Sequence, residues 1–311
     1  MATLQPRLRL VRKVSVLYNA RSGAGRSGPQ RPLAEQLTEL LTRRGVESVV
    51  REFEPATVRE DVCALVAGRP DAVLVAGGDG TVRSVVEHLA PTGIPLGVLP
   101  TGTMNLLARD LGVPEDVETA VDALLAARVE MIDVARVNGR IFLCSSALAM
   151  MPHLGRIRER ARAERGWPWL RLWARAVRIW RRYPQMHLRL VVDGTVHEVR
   201  TRAIVIANNP FAPRAAPVPT RTRLDTGELV VYVTHDRSHW DLVSIAAKLL
   251  DGSWLADRRL RTYNCHTMQV LSSRLEIMSV MSDGEVAQLE MPLVFEIVPG
   301  ALAVLAPNAN S

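Results

Sequence analysis

Lysine is almost missing from this chain: of 39 basic residues only Lys13 and Lys248 are lysines, and the rest are arginine. Cysteine is scarce as well. Cys63, Cys144 and Cys265 are far apart and lack metal-type spacing; an odd, scattered set argues against a disulfide framework and fits a reducing cytoplasm. No run of eighteen apolar residues occurs, which argues against a spanning helix. The N-terminal MATLQPRLRLVRK has no apolar stretch of the secretory kind, so no secretory signal is expected. GxxxxGK[ST] is absent too, which excludes a Walker-type nucleotide loop. What remains is an ordinary composition, 48% hydrophobic and 23% charged over 311 residues, long enough to favour two domains over one core.

Up to about residue 133 the pattern alternates. VSVLYNA (14–20), VESVVREF, DAVLVAGG and IPLGVLP (94–100) read as strands. LAEQLTELLTRRG (33–45), VREDVCALVAG (58–68) and a segment from Val82 to Ala90 read as helices between them. Such alternation predicts βαβ units and an open, mostly parallel sheet. Beyond it the signals turn to strands punctuated by Asn138-Gly139, Asp193-Gly194, Gly227 and Asp283-Gly284, which predicts an antiparallel β-rich domain. The expected division is an α/β domain over 11–133 and a β-rich domain over 134–299. A tail of about 300–311 is expected to return to the first.

Three glycine-rich turns follow strands of the first half: NARSGAG (19–25), GGDGT (77–81) and PTGTMN (100–105). In an open parallel sheet, ligands sit beyond the carboxyl ends of the strands. Glycine turns bare their backbone N–H groups there, and helix N-termini add positive potential, a setting suited to phosphate oxygens. GGDGT does not satisfy the GxGxxG dinucleotide fingerprint. A carboxylate beside phosphates repels them unless a metal or a hydroxyl intervenes, so Asp79 points to Mg²⁺-assisted phosphoryl transfer.

NARSGAG, GGDGT, LGVLPTGTMNLLARDLGVP (96–114) and the late DGE (283–285) resemble, in order and spacing, the diacylglycerol kinase catalytic-domain family. That family includes bacterial lipid kinases and the sphingosine and ceramide kinases. The resemblance spans roughly residues 11–307. It implies a three-layer α/β domain of NAD kinase/diacylglycerol kinase type, a C-terminal antiparallel β-sandwich, and ATP with Mg²⁺ between them. Asn19, Ser22, Gly77, Gly78, Asp79, Gly80, Thr81 and Thr103 would surround the nucleotide and its metal, and Asn105 would help fix the loop. Glu285 would be the general base toward a lipid hydroxyl, most simply that of diacylglycerol, at the inner face of the membrane. By itself Asp283-Gly284-Glu285 reads only as a hairpin turn.

Two departures stand out. The family follows GGDGT with a hydrophobic residue, Asn and Glu, whereas here Val82, Arg83 and Ser84 follow. The family's Asp-Asp-Gly turn, through which bacterial members hold a structural cation, is here Asp225-Thr226-Gly227, leaving Asp225 as its carboxylate. These departures make a non-catalytic lipid- or nucleotide-binding regulator one alternative, and GGDGT, shared with NAD kinases, makes an NAD kinase-like enzyme another.

Residues 154–183 form a helical insertion with ten arginines against Glu159 and Glu164, and hold Trp167, Trp169, Trp173 and Trp180. Their local excess of +8 exceeds the +7 of the whole chain. A surface helix packed by its Trp face and a membrane-interface helix on anionic lipid are both expected readings. Nucleic acid is not an expected partner, because no DNA or RNA module accompanies the arginines.

Overall fold

The computed structural model describes residues 11–20, 32–156, 178, 183–213, 219–235, 238–248 and 251–307. Packing divides the chain into two units, Met1–Ile132 with Gly300–Ser311, and Asp133–Pro299.

In the first unit β1 (Lys13–Tyr18), β2 (Glu47–Glu52), β3 (Ala72–Gly77) and β4 (Leu96–Pro100) form a parallel sheet in the order β2-β1-β3-β4. Residues 300–306, the end of a long last strand, add in parallel beside β4, with Val304 opposite Leu96. Every residue of β3 and β4 is buried. Strands covered on both faces must be apolar throughout, which is why AVLVAG and LGVLP read as unbroken runs. The edge strand β2, ESVVRE, stays largely in contact with solvent.

The helices are α1 (Leu33–Arg43), α2 (Val58–Ala67), α3 (Asp79–Leu89), α4 (Leu106–Asp110) and α5 (Val117–Leu125). Helix α1 buries Leu37, Leu40 and Leu41, a stripe at helical spacing turned to the sheet. The Asp116 carboxylate caps α5 by accepting from the Thr119 amide at 2.9 Å, satisfying one orphan donor. Helix α3 corrects the sequence reading, which starts it at Val82. It begins at Asp79, because extended Gly78 (φ -89°, ψ 179°) serves as N-cap. A carboxylate in the first turn also offsets the positive end of the helix dipole.

The second unit is two packed sheets. One holds β13 (Thr267–Leu271), β8 (Met186–Val192) and β9 (Thr195–Thr201), together with the first part of β16 (Leu293–Ala306). It also carries the hairpin of β5 (Arg128–Val137) and β6 (Arg140–Phe142). The other runs β12-β11-β10-β7-β14-β15, from Leu260–Cys265 through Leu229–Thr234, Ala203–Asn208, Ser145–Ala149 and Ile277–Ser282 to Glu285–Glu290, all antiparallel. Their inner faces meet in a core that includes Phe142, Leu148, Ile204, Met268 and Phe295. The Phe142 and Phe295 rings lie edge-to-face at 6.3 Å. Asn138-Gly139, Asp193-Gly194 and Asp283-Gly284 each place two successive residues at positive φ, the turn that matches strand twist in two-residue hairpins. A helix, α6 (His239–Lys248), precedes β12.

Among the described residues no helix is long and apolar enough to cross a membrane. The Arg- and Trp-rich segment, apart from residues at its two ends and Arg178, lies outside the described residues.

Candidate active site

The strands preceding the three glycine turns are neighbours in the sheet. Tyr18 stands opposite Ala76, and Gly77 opposite Pro100. Parallel strands in this register deliver their following loops to one edge.

Those loops are tied to each other by named contacts. The Asn19 amide donates to the Ala76 carbonyl at 2.8 Å, and its side-chain NH₂ donates to Thr81 Oγ1 at 2.9 Å. Asp79 Oδ1 accepts from the Leu106 amide at 2.6 Å, so the first residue of α3 caps the start of α4. Asn105 Nδ2 donates to the Gly102 carbonyl at 3.1 Å. Asn105 itself sits at φ 48°, a left-handed conformation that asparagine tolerates better than most residues. Gly102 and Gly78 approach so closely that a Cβ on Gly102 would lie 2.4 Å from Gly78 Cα.

The amides of Asp79, Gly80 and Thr81 belong to the first turn of α3, where backbone donors have no partner within the helix. Thr81 is buried, Gly78, Asp79 and Gly80 are half-buried, and Thr103 is exposed. Ser22 lies outside the described residues. Of the family's missing Asn-Glu pair, Ser84 instead turns its hydroxyl back to the Gly80 carbonyl at 2.9 Å.

The donor set can be tested against Mg²⁺. Among the described residues no group of three or more His, Cys, Asp or Glu is gathered, which rules out an all-protein cage there. Asp79 is a single carboxylate, and Asn105 Oδ1 is a buried acceptor without a hydrogen-bond donor. One carboxylate with neutral oxygens suits an ion that takes its remaining ligands from phosphates and water. These residues fit Mg²⁺.

The Asp225 loop does not fit a cation in the same way. Both Asp225 oxygens face Arg223, at 3.0 Å from Nε and 3.2 Å from Nη2. The Thr226 hydroxyl accepts from Asn209 Nδ2 at 3.0 Å, and that same NH₂ donates to buried Asp133 at 2.7 Å. The Gly227 amide also donates to Asp133 at 2.7 Å. Hydrogen bonds hold this turn, and a guanidinium occupies its one exposed carboxylate.

In the second unit Glu285 opens β15 at an exposed position, directly after the Asp283-Gly284 turn. Asp283 is what fixes that turn. Its buried carboxylate accepts from the amides of Leu143, Cys144 and Ser145 at 2.7, 2.8 and 3.1 Å, and its own amide donates back to the Ser145 carbonyl at 2.9 Å. Sequence reasoning assigned no such part to Asp283. The partners lie some 140 positions away, and no local pattern marks them.

A parallel α/β unit with interlocked glycine turns, continued into an antiparallel sandwich, defines the NAD kinase- and diacylglycerol kinase-like class of fold. Comparison with known proteins narrows the class. Residues 13–137 match the diacylglycerol kinase catalytic domain, and residues 156–306 match the YegS C-terminal NAD kinase beta sandwich-like domain. A diacylglycerol kinase of Mycobacterium tuberculosis is 29% identical over 317 residues, covering 99% of both chains. One of Bacillus subtilis is 45% identical over 76 residues, which is 24% of this chain and 25% of that protein. A crystal structure of a diacylglycerol kinase from Bacillus anthracis str. Sterne superposes with a TM-score of 0.68 at 20% identity, covering 96% of this chain and 98% of that one. This likeness bears on the fold, which is the one expected from sequence. The chain belongs to the diacylglycerol kinase catalytic-domain family of lipid kinases.

Proposed function

We propose that this protein transfers the γ-phosphoryl group of ATP to the hydroxyl of a membrane lipid, with diacylglycerol as the first candidate. The observation that carries the proposal is the meeting of three strand ends at the start of α3, where Asn19 binds the Thr81 hydroxyl and the Leu106 amide binds Asp79. Family membership supports the kinase class.

The α3 amides and Thr81 would hold phosphate oxygens, and Asn19 keeps the Thr81 hydroxyl in place. Mg²⁺, held through Asp79 and Asn105 Oδ1, would offset charge on the transferring phosphate. Attack of the lipid hydroxyl oxygen on the γ-phosphorus forms one P–O bond and breaks the bond to the ADP oxygen. The hydroxyl proton passes to the Glu285 carboxylate. Asp283 acts as a positioning residue, because its three amide contacts hold the turn from which Glu285 projects.

The test is a transfer assay with ATP labelled at the γ-phosphate and diacylglycerol in mixed micelles. Label should appear in the lipid, and Glu285→Gln should lower turnover by on the order of 10²-fold or more. ATP binding without transfer to diacylglycerol or any other neutral lipid would overturn the proposal in favour of a regulator.

A further inference from the structure

β9 and β12 are edge strands, one in each sheet of the second unit. Between them lies a cavity of about 1340 Å³, lined from β8, β9, β12, the residues before β12 and the end of β13. It plays no part in the chemistry above. Among the described residues its lining carries five arginines against two carboxylates, Glu198 and Asp241. Arg189 faces Glu198 at 3.6 Å, and Arg259 pairs with Asp241 at 3.0 Å. Arg200, Arg258 and Arg261 remain, all exposed, and no described carboxylate lies within ion-pair distance of them. Arg200 donates only to His187 Nδ1, at 3.1 Å.

Edge strands often carry charge merely to discourage pairing. Here the two edges face one hollow, and the surplus has one sign. Among the described lining residues Leu188, Val199 and Leu271 are the apolar ones, fewer than the arginines. The volume exceeds that of most single small-molecule pockets, so several anionic groups suit it better than one compact ligand.

The rim gives a second, independent observation. Trp240 in the first turn of α6 is 80% exposed. Its neighbour Asp241 lines the cavity, accepts from the Ser238 amide at 2.8 Å and pairs with Arg259. The start of α6 is thereby fixed to the arginine-bearing segment. A free phosphate gives an outlying indole nothing to do, whereas tryptophan beside arginine matches the headgroup layer of a bilayer.

We propose that this cavity binds the phosphate headgroups of anionic phospholipids, with Trp240 seated in the interface, and so docks the sandwich on negatively charged membranes. Its function needs neither ATP nor turnover.

The experiment is flotation of the full chain, without nucleotide, on vesicles of phosphatidylcholine alone or mixed with phosphatidylglycerol. Binding should require the anionic lipid. The Arg258→Gln/Arg261→Gln double variant should partition on the order of tenfold or more weakly, with an unchanged melting temperature and an intact 154–183 segment. Trp240→Ala should weaken binding independently. Wild-type partitioning by the double variant would overturn the proposal. So would protection by inorganic phosphate alone that matches the effect of anionic vesicles, because the site would then serve a free anion. Loss of kinase activity with vesicle binding intact would leave this site standing and count only against the catalytic reading.

Discussion

Gly102 is required by a neighbour that the local sequence does not reveal. A Cβ there would stand 2.4 Å from Gly78 Cα and 2.7 Å from Asn105 Oδ1, and backbone cannot retreat as a flexible side chain can. At Gly78 the added atom would meet only Gly102 Cα, at 3.5 Å, and its φ of -89° suits any residue. Gly102→Ala should therefore destabilise the protein by about 3 kcal/mol. Gly78→Ala should cost at most about 1 kcal/mol, the loss from a poorer N-cap, while weakening ATP binding through its methyl at the start of α3. Urea unfolding and ATP titration of the two variants separate these outcomes. Equal stability would refute the close-approach account. The glycine turns themselves were legible, since each interrupts an apolar strand with residues that serve no core. The pairing of Gly78 with Gly102, the capping of α4 by Asp79 and the anchoring of the DGE turn by Asp283 were not. Each joins groups distant in the chain and leaves no periodic trace.

At the scale of elements, the antiparallel hairpins announced themselves through Asn-Gly and Asp-Gly pairs, because few other pairs tolerate two positive φ values in succession. Helix α6 and strand β12 escaped. In β12, LRTYNC, only Cys265 is fully buried, so an edge strand with most side chains toward solvent shows little alternation to read. Charge holds this region. Buried Asp257 pairs with Arg259 at 2.6 Å and with Lys248 of α6 at 3.0 Å. The Arg259 guanidinium holds the Asp257 carboxyl well below the usual carboxylate range, with the Arg259 amide and Lys248 assisting. The unfolded chain takes up this proton near its ordinary value of about 4, whereas the folded chain resists to lower pH. The stabilisation is thus complete above that value and is lost as pH falls through the folded pKa. Asp257→Asn should cost roughly 2 kcal/mol near neutrality, between the values for exposed and buried pairs. The deficit should shrink toward about pH 3. Urea midpoints measured across that range check it, and a deficit independent of pH would rule out the ion pair as its source.

At the scale of the whole molecule, the alternation of strands and helices in the first half and the strand-rich second half made the fold class readable. Periodicity is strongest where one face or both must be apolar. The chain does not change units in loops. β5 and β16 each run across the division, with Ile132 and Asp133 inside one and Pro299 and Gly300 inside the other. The last strand therefore supplies the first unit with residues the N-terminal segment lacks. Leu302, Val304 and Leu305 are buried, and Val304 lies in register with Leu96 of β4. Burial of a Leu or Val side chain contributes about 1.5–3 kcal/mol, so losing three removes on the order of the whole stability of a domain. It would also bare the β4 edge. A chain ending at Pro299 should thus lose the first unit while residues 133–299 keep their own two sheets. Limited proteolysis followed by mass spectrometry reads this directly. Cleavage should concentrate within 11–132 in the shortened chain and be suppressed there in the full one. Equal protection of that segment in both chains would mean that 300–306 is dispensable, and that the parallel sheet is complete at β4.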